Sequence, residues 1–302
     1  MAFFLGIDGG GSKTTCLVGD ETTVLASATS GGSNLVRVGE VRARESLQQG
    51  IRQACSSAGI TPQKIHRACL GAAGAARPEV RDILHRLLAE LISGEIHIVG
   101  DMQIALEAAF DNASGVVVIA GTGSIAYGRN SQNQIARAGG WGFAVSDEGS
   151  GHWIGRMALS AALRAQDQGQ HSLLLEAIQK SWGKPSQAEL VLAANAAPAP
   201  DFAALFPSVL SVADQGDPAA RAVLTRAGAE LSSLAKIVIL RLFSPGGPVP
   251  VAMSGGVFTN SPLVREVFYN SLRSQCPDAV LNHAVVEPVQ GALALARRGP
   301  SK

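Results

Sequence analysis

The chain of 302 residues has few cysteines and no metal-binding pattern built on them. Its four cysteines, Cys16, Cys55, Cys69 and Cys276, form no CxxC pair, and no histidines stand at ligand spacing from them. Zinc ribbons and thiol redox motifs require such spacings, so neither is indicated. We expect reduced, structural thiols, as is usual in a reducing compartment.

An excess of charge of one sign is also missing. The 25 basic residues are balanced by 24 acidic ones, for a formal net charge of +1, and aromatic residues make up only 5% of the chain. A surface for nucleic acid would show clustered Lys and Arg interleaved with aromatic rings. We therefore expect small-molecule partners and no nucleic acid.

Long apolar runs are missing as well. No stretch approaches the roughly 18 uninterrupted apolar residues of a membrane span, and the start of the chain lacks the basic and apolar regions of a signal peptide. We expect a soluble, cytoplasmic protein with no membrane partner. With 46% hydrophobic residues, the chain is long enough for two domains that each bury a core.

Glycine is abundant, with 34 residues, and it is concentrated in three places that follow predicted strands. The first is GIDGGGSKT, residues 6–14. A Walker A loop requires G-x-x-x-x-G-K-[ST] leading into a helix, whereas here Ser12 precedes Lys13 and β-prone residues follow. A dinucleotide fingerprint also has to open a helix, so both familiar phosphate motifs are excluded by context.

A phosphate-binding hairpin remains compatible with this first stretch. Glycines let the backbone approach an anion, the Ser12 and Thr14 hydroxyls can donate to it, and Lys13 adds positive charge. Asp8, at the end of the preceding strand, suits Mg²⁺ held through water. The alternative is a tight hairpin without a ligand.

The order of predicted elements repeats along the chain. Three strands are followed by alternating helices and strands, and a second series begins at Val116 with a strand leading into GTGS, residues 121–124. The third glycine signal, SGGVF at 254–258, follows a strand of this second half. Between the second and third glycine signals, the pattern of residues 152–243 predicts a largely helical insertion. Two hairpins in equivalent places could then hold one polyphosphate from opposite domains.

These glycine signals on duplicated three-strand halves resemble the actin-like ATPase superfamily of sugar kinases, Hsp70 and actin. Within it, the strings GIDGGGSKT, AGTGSIAYG, GGWGFAVSDEGSG and SGGVF are similar to the family that groups N-acetylglucosamine kinase with the BadF/BadG/BcrA/BcrD-type ATPases. The resemblance extends from residue 3 to about residue 297. It implies an α/β fold of two ribonuclease-H-like (actin-like ATPase) domains facing each other across a cleft.

The implied domains are 1–112, completed by a C-terminal helix at 288–300, and 113–287. The implied activity is ATP-dependent phosphorylation of an amino sugar, with Mg²⁺ as cofactor and the 6-OH of N-acetylglucosamine as acceptor. Glucosamine and N-acetylmuramic acid are alternative acceptors. An activator ATPase acting on a protein partner is the alternative class, which the scattered cysteines disfavour. Dimers are common in the resembled family, so a homodimer is an option that the sequence does not decide.

The resemblance also assigns nucleotide-binding residues. Ser12 and Thr122 match phosphate ligands, and Gly255 and Gly256 match positions near the adenosine. The full set expected around ATP is Gly10, Gly11, Ser12, Lys13, Thr14, Gly121, Thr122, Gly123, Ser124, Gly255 and Gly256.

A second set is expected around the sugar. Its members are Asn34, Asp101, Gly140, Trp141, Gly142 and Asp147. Asp101 is assigned as general base for the acceptor hydroxyl, with a helix N-cap as the alternative role. Trp141 either stacks on the pyranose or belongs to the core. Glu148 is a second candidate carboxylate, and His152 is expected to begin a helix rather than to act in catalysis.

Overall fold

A five-stranded sheet with flanking helices occurs twice along the chain. The structure, a computed structural model, describes residues 2–299. The strands are β1 (Phe3–Gly9), β2 (Lys13–Gly19), β3 (Val24–Gly31), β4 (Ile65–Ala72), β5 (Glu95–Val99), β6 (Gly115–Ala120), β7 (Ser124–Arg129), β8 (Ile135–Gly139), β9 (Val249–Ser254) and β10 (Ala279–Val286). The helices are α1 (Leu35–Ser57), α2 (Pro78–Ala89), α3 (Asp101–Phe110), α4 (Gly151–Asp167), α5 (Leu173–Trp182), α6 (Gln187–Ala194), α7 (Phe206–Asp214), α8 (Pro218–Leu242), α9 (Gly256–Asn260), α10 (Pro262–Gln275) and α11 (Pro288–Arg298).

The two sheets have the same strand order. The first runs β3-β2-β1-β4-β5 and the second β8-β7-β6-β9-β10 when both are read from the hairpin edge. In the first sheet β1 pairs antiparallel with β2 and parallel with β4, and β4 pairs parallel with β5. The predicted α/β class and the predicted repeat of element order are therefore confirmed.

The chain divides into two compact units. One comprises residues 1–117 and 286–302, and the other comprises residues 118–285. The domains expected from the sequence, 1–112 with 288–300 and 113–287, have limits a few residues away and stay a prediction. Met1 and Pro300, which the first of these domains includes, lie outside the described residues. The predicted placement of the halves around a cleft also stays a prediction.

In the first unit, β1 is buried on both faces of its sheet. Leu5 and Ile7 pack into a core with α1 and α2, while Phe4 packs on the other face with α3 and α11. Helix α1 begins twelve positions before Leu47, where the apolar spacing first predicts a helix. Its early turns mix apolar and charged residues, the apolar Val36 and Val41 are exposed, and Gly39 interrupts these turns with a φ of 76°, so helical periodicity is weak there.

Helix α11 approaches its neighbours closely because glycine lies at both contacts. A Cβ on Gly291 would lie 2.0 Å from the carbonyl oxygen of Ile104 in α3, and a Cβ on Gly6 would lie 2.4 Å from the backbone nitrogen of Leu293 in α11. Beyond these contacts, Arg298 forms an ion pair with the buried Glu107 of α3 at 2.5 Å. The last helix of the chain is therefore fixed to the helix that begins at Asp101.

In the second unit, residues 151–242 form the helices α4 to α8. Each of these helices has at least one fully or almost fully buried apolar residue. Among the described residues, no helix is both long and apolar enough to cross a bilayer.

We expect Gly291→Ala to lower the free energy of unfolding by about 2 kcal/mol, because the added Cβ would overpack the contact with α3. Helix propensity alone would make the Ala variant more stable by about 1 kcal/mol, so a loss of stability would identify overpacking as the dominant effect. Urea unfolding followed by circular dichroism measures the change. Gly247→Ala is the control because a Cβ there meets open space, and a Gly291→Ala variant as stable as that control would contradict the prediction.

Candidate active site

The first glycine loop makes a tight turn between β1 and β2. The N–H of Gly10 donates to the carbonyl oxygen of Lys13 at 3.0 Å and closes the turn. Ser12 and Lys13 are exposed at the tip, whereas Thr14 is fully buried. The turn presents backbone, a hydroxyl and an ammonium group to solvent, which is what a phosphate site requires.

The segment that follows β3 packs directly on this loop. The carbonyl oxygen of Gly10 accepts the backbone N–H groups of Ser33 at 3.0 Å and Asn34 at 3.2 Å. In addition, the hydroxyl of Thr14 donates to the hydroxyl oxygen of Ser33 at 2.7 Å. Because the Thr14 side chain has this internal partner, its contact with ATP stays a prediction.

Asn34 is held at the start of α1. Its side-chain oxygen accepts the N–H of Val36 at 3.1 Å as the helix N-cap, which leaves its amide group as a donor. A Cβ on Gly32 would lie 2.4 Å from the carbonyl oxygen of Gly11, so only glycine fits where the two backbones meet. The structure thus brings a predicted sugar residue next to the predicted phosphate loop.

Asp101 is the first residue of α3, directly after β5. The N-cap is Gly100, whose N–H donates to the Gln103 side chain at 2.8 Å. The Asp101 carboxylate accepts the N–H of Met102 at 2.9 Å. The alternative role of Asp101 as the N-cap is therefore wrong, because the cap position is occupied by Gly100.

Asp8 and Asp101 repel each other electrostatically. They lie at the carboxyl ends of β1 and β5, which flank β4 in one parallel set. Burial, followed by the charge of Asp101, raises the pKa of Asp8 to about 6, and Lys13 opposes this shift. Burial also raises the pKa of Asp101, against the lowering effect of its bond to Met102. A positive ligand in this place would relieve the repulsion.

The second glycine loop lies between β6 and β7 and is held by the segment around Asp147. The N–H of Gly121 donates to the carbonyl oxygen of Gly123 at 2.9 Å. The N–H of Ser124 donates to the Asp147 carboxylate at 3.3 Å, and the Ser124 hydroxyl donates to the carbonyl oxygen of Glu148 at 2.7 Å. Burial raises the pKa of Asp147. Asp147 thus supports this loop whether or not it also binds sugar.

The start of α4 and the third glycine signal meet the same loop. Gly151 and His152 donate their backbone N–H groups to the carbonyl oxygens of Gly121 at 2.8 Å and Thr122 at 3.2 Å. Gly255 has a φ of 99°, and a Cβ there would lie 3.0 Å from the backbone nitrogen of Gly121. Within the second unit, these predicted nucleotide residues therefore form one cluster.

The segment Gly139–Gly142 is sharply turned, with Gly139 and Gly140 half-buried and Trp141 and Gly142 exposed. Gly139, Gly140 and Gly142 all have φ between 70° and 99°, which other residues rarely adopt. Trp141 is 67% exposed, and the guanidinium of Arg137 lies 4.0 Å from its ring centre. The alternative that Trp141 belongs to the core is wrong, and its other role, stacking on a sugar, stays a prediction.

His152 lies in α4, as expected, and its ring packs among aromatic side chains. The ring centres of Phe143 and Phe202 lie 4.9 Å and 5.2 Å away. The carboxylate of Glu148 accepts the Ser146 hydroxyl at 3.0 Å. Neither contact identifies a catalytic role for His152 or Glu148.

Comparison with known proteins identifies the family. The model of the BadF/BadG/BcrA/BcrD ATPase family matches residues 5–296. The chain belongs to this family. The sequence had indicated this family through four glycine-containing strings, and the matched residues include all four.

Two curated relatives in this family extend over nearly the whole chain. The N-acetylmuramic acid/N-acetylglucosamine kinase of Clostridium acetobutylicum is 32% identical, covering 98% of this chain and 99% of its own. The N-acetyl-D-glucosamine kinase of Dictyostelium discoideum is 30% identical, covering 97% of both chains. At the level of the family, the expected ATP-dependent sugar kinase is confirmed.

Solved structures confirm the expected fold. A Chromobacterium violaceum protein, proposed to be an N-acetylglucosamine kinase, has a TM-score of 0.78 and 28% identity, covering 98% of this chain and 99% of that chain. A ROK family glucokinase from Streptomyces griseus shares the fold alone, with a TM-score of 0.62 and 16% identity, covering 99% of this chain and 100% of that chain. Two α/β halves of the actin-like ATPase type are common to these sugar kinases.

Sequence reasoning missed one residue of this site. Ser33 is 1% exposed and joins the two loops of the first unit, but a serine between glycine and asparagine usually indicates only a turn. Its pairing with Thr14 depends on the register of β2 and β3, in which Thr14 lies opposite Ser30. No pattern in the sequence specifies that register.

We expect Asp8 to make the ligand-free protein less stable as the pH rises. Its pKa of about 6 in the folded state lies above 3.8, the ordinary value of an aspartate. Between these two pH values the folded state therefore binds a proton that the unfolded state releases. The resulting stabilisation is complete below about pH 4 and is lost as the pH rises to about 6, by about 3 kcal/mol in total.

Urea unfolding of wild type and Asp8→Asn between pH 4 and 7 measures this effect, because the difference between the two proteins isolates the carboxyl group. Asp82→Asn, at an exposed position of α2, is the control and should follow wild type. Parallel pH profiles for wild type and Asp8→Asn would contradict the raised pKa.

Proposed function

We propose that the protein is an amino-sugar kinase that transfers the γ-phosphoryl group of ATP to the 6-hydroxyl of N-acetylglucosamine. The observation that carries the proposal is the grouping of Asp101, Asp8 and the 10–14 loop in one unit. It occurs in a chain related over nearly its whole length to kinases named for this sugar.

Asp101 would act as the general base. A sugar hydroxyl is a poor nucleophile until its proton can leave, and a carboxylate can accept that proton. The raised pKa of Asp101 makes the carboxylate a better proton acceptor, provided that it is ionised at the working pH. Its position as the first residue of a helix leaves the side chain partly accessible, as an acceptor group requires.

The two glycine loops would bind the phosphates of ATP. Phosphoryl transfer requires positioning and charge stabilisation more than covalent chemistry by the protein. In the first unit the loop supplies backbone N–H groups, the Ser12 hydroxyl and the Lys13 ammonium group. In the second unit the 121–124 loop would supply backbone N–H groups and the Thr122 hydroxyl but no ammonium group, while Gly255 and Gly256 would leave room for the nucleoside.

Mg²⁺ fits the carboxylates of the first unit. Mg²⁺ prefers oxygen ligands, keeps several waters and needs only one or two carboxylates besides the phosphates. Burial and, after it, repulsion from Asp101 raise the pKa of Asp8; a divalent cation would relieve the repulsion, and Asp8 would hold the ion through water. When bound, the ion would supply charge neutralisation at the transferring phosphoryl group.

Asn34, Gly140, Trp141, Gly142 and Asp147 would bind the acceptor. The free amide of Asn34 can donate to a sugar hydroxyl, and the exposed ring of Trp141 offers an apolar face for the pyranose. The Asp147 carboxylate keeps acceptor capacity beside its bond to Ser124.

The relatives favour two other acceptors as alternatives. The Clostridium acetobutylicum enzyme is also named for N-acetylmuramic acid, and a 26% identical relative from Vibrio cholerae, covering 76% of this chain and 78% of its own, is named glucosamine kinase. Both sugars differ from N-acetylglucosamine at C2 or C3, so the pocket around these carbons decides the acceptor.

We expect N-acetylglucosamine to stimulate ADP release most strongly in a panel with glucosamine, N-acetylmuramic acid, N-acetylmannosamine and glucose. A coupled assay measures ADP, and phosphorus NMR of the product identifies the phosphorylated hydroxyl. ATP hydrolysis that no sugar stimulates would contradict the kinase and favour an ATPase that acts on a protein partner.

We expect Asp101→Asn to lower kcat by about 10²- to 10⁴-fold, because the amide cannot accept the proton. Sugar binding, measured by calorimetry, should be retained, since an amide can still hydrogen-bond a hydroxyl. The exposed Asp82→Asn is the control and should leave kcat unchanged. A kcat near the wild-type value in Asp101→Asn would exclude Asp101 as the base.

A further inference from the structure

We propose that Ser33 couples binding of the acceptor sugar to binding of ATP, as a positioning residue that ties the Asn34 segment to the phosphate loop. The inference rests on the proposed function, because it takes Asn34 as a sugar ligand and residues 10–14 as a phosphate site. Ser33 itself touches neither reactant in this arrangement.

The contact that carries the coupling is a hydrogen bond between two buried hydroxyls. Thr14 is 0% and Ser33 1% exposed, and their oxygens lie 2.7 Å apart. Water cannot replace either partner at that depth, so loss of one hydroxyl leaves the other group unsatisfied. Thr14 is the second residue of β2, directly after the loop tip, and Ser33 precedes Asn34, so the bond joins the bases of both segments.

The backbone around this bond leaves little room for independent movement. The Gly10 carbonyl oxygen holds the N–H groups of both Ser33 and Asn34. Gly32 lies so close to Gly11 that a Cβ would approach its carbonyl oxygen to 2.4 Å. A sugar that orders Asn34 therefore orders Gly10 and Gly11 as well, before any nucleotide arrives.

Such ordering has to be reciprocal. If the sugar tightens ATP binding by some factor, ATP tightens sugar binding by the same factor, commonly about 5- to 150-fold where sites are coupled. The ligand that binds second finds its loop already ordered and loses less conformational entropy.

The second unit shows the same arrangement through different residues. There the carboxylate of Asp147, a predicted sugar residue, accepts the N–H of Ser124 in the other phosphate loop. In both halves, then, a segment assigned to the sugar is bonded directly to a loop assigned to the nucleotide.

Calorimetry of a non-hydrolysable ATP analogue with Mg²⁺, with and without saturating N-acetylglucosamine, measures the coupling factor as the ratio of the two Kd values. We expect a factor above about fivefold in wild type. In Ser33→Ala it should fall by about two- to tenfold, the value of one buried hydrogen bond. Thr14→Val removes the same bond from the other side, and the double variant should lose no more than either single one.

Ser30→Ala is the matched control. The Ser30 hydroxyl donates to the carbonyl oxygen of Ser46 at 2.7 Å, so this variant loses a hydrogen bond of the same length within three residues of Ser33. Its coupling factor should equal that of wild type. If Ser33→Ala does not fold, Thr14→Val and its comparison with Ser30→Ala decide the question.

The proposal would be overturned if Ser33→Ala kept the full coupling factor. It would also be overturned if the control Ser30→Ala lowered the coupling factor as much as Ser33→Ala does. If the protein phosphorylates the sugar but the sugar does not change its affinity for the nucleotide, the proposed coupling is wrong while the proposed kinase function is retained. Failure to phosphorylate any amino sugar would overturn the proposed function, and the coupling with it.

Discussion

The carbonyl oxygen of Gly10 accepts two backbone N–H groups, and the geometry of the first candidate site depends on this acceptor. A carbonyl oxygen has two lone pairs, so one turn of the chain can bind two successive residues of another segment. Glycine at 32 allows the approach, since a Cβ there would lie 2.4 Å from the carbonyl oxygen of Gly11. The position of Asn34 at the start of α1 follows from this contact.

A corresponding constraint acts in the second unit, although its chemistry differs. There the Asp147 carboxylate and the Glu148 carbonyl oxygen hold Ser124 of the loop, and the start of α4 adds two backbone bonds from Gly151 and His152. The repeat of strand order therefore preserves the position of the loop but not the groups that support it. Two halves of the same topology can therefore hold their glycine loops in place through different residues.

The sequence was sufficient for most of the fold, because its strands are short, apolar and separated by glycine turns. The predicted repeat of element order is observed in the two sheets, and together with the glycine strings it led to the family. The start of α1 was not predictable, since Gly39 and the exposed apolar residues Val36 and Val41 weaken its periodicity. Contacts between distant segments, such as Ser33 with Thr14, depend on strand register, which residue patterns specify only weakly. The N-cap at Gly100 was missed because aspartate is commoner than glycine at helix N-caps, which favoured the neighbouring Asp101 for this role.

The packing of α11 on α3 also determines when the N-terminal unit can fold during synthesis. Phe4, Leu17 and Ile104 share a buried core with Val289 and Leu293, so one face of the first sheet is covered by α3 and also by α11, which is made after the second unit. A ribosome has to complete the second unit before that face is enclosed, although domains generally fold from the N-terminus as they emerge. The nascent N-terminal half therefore carries an apolar sheet face that α3 covers only in part until α11 has been synthesised.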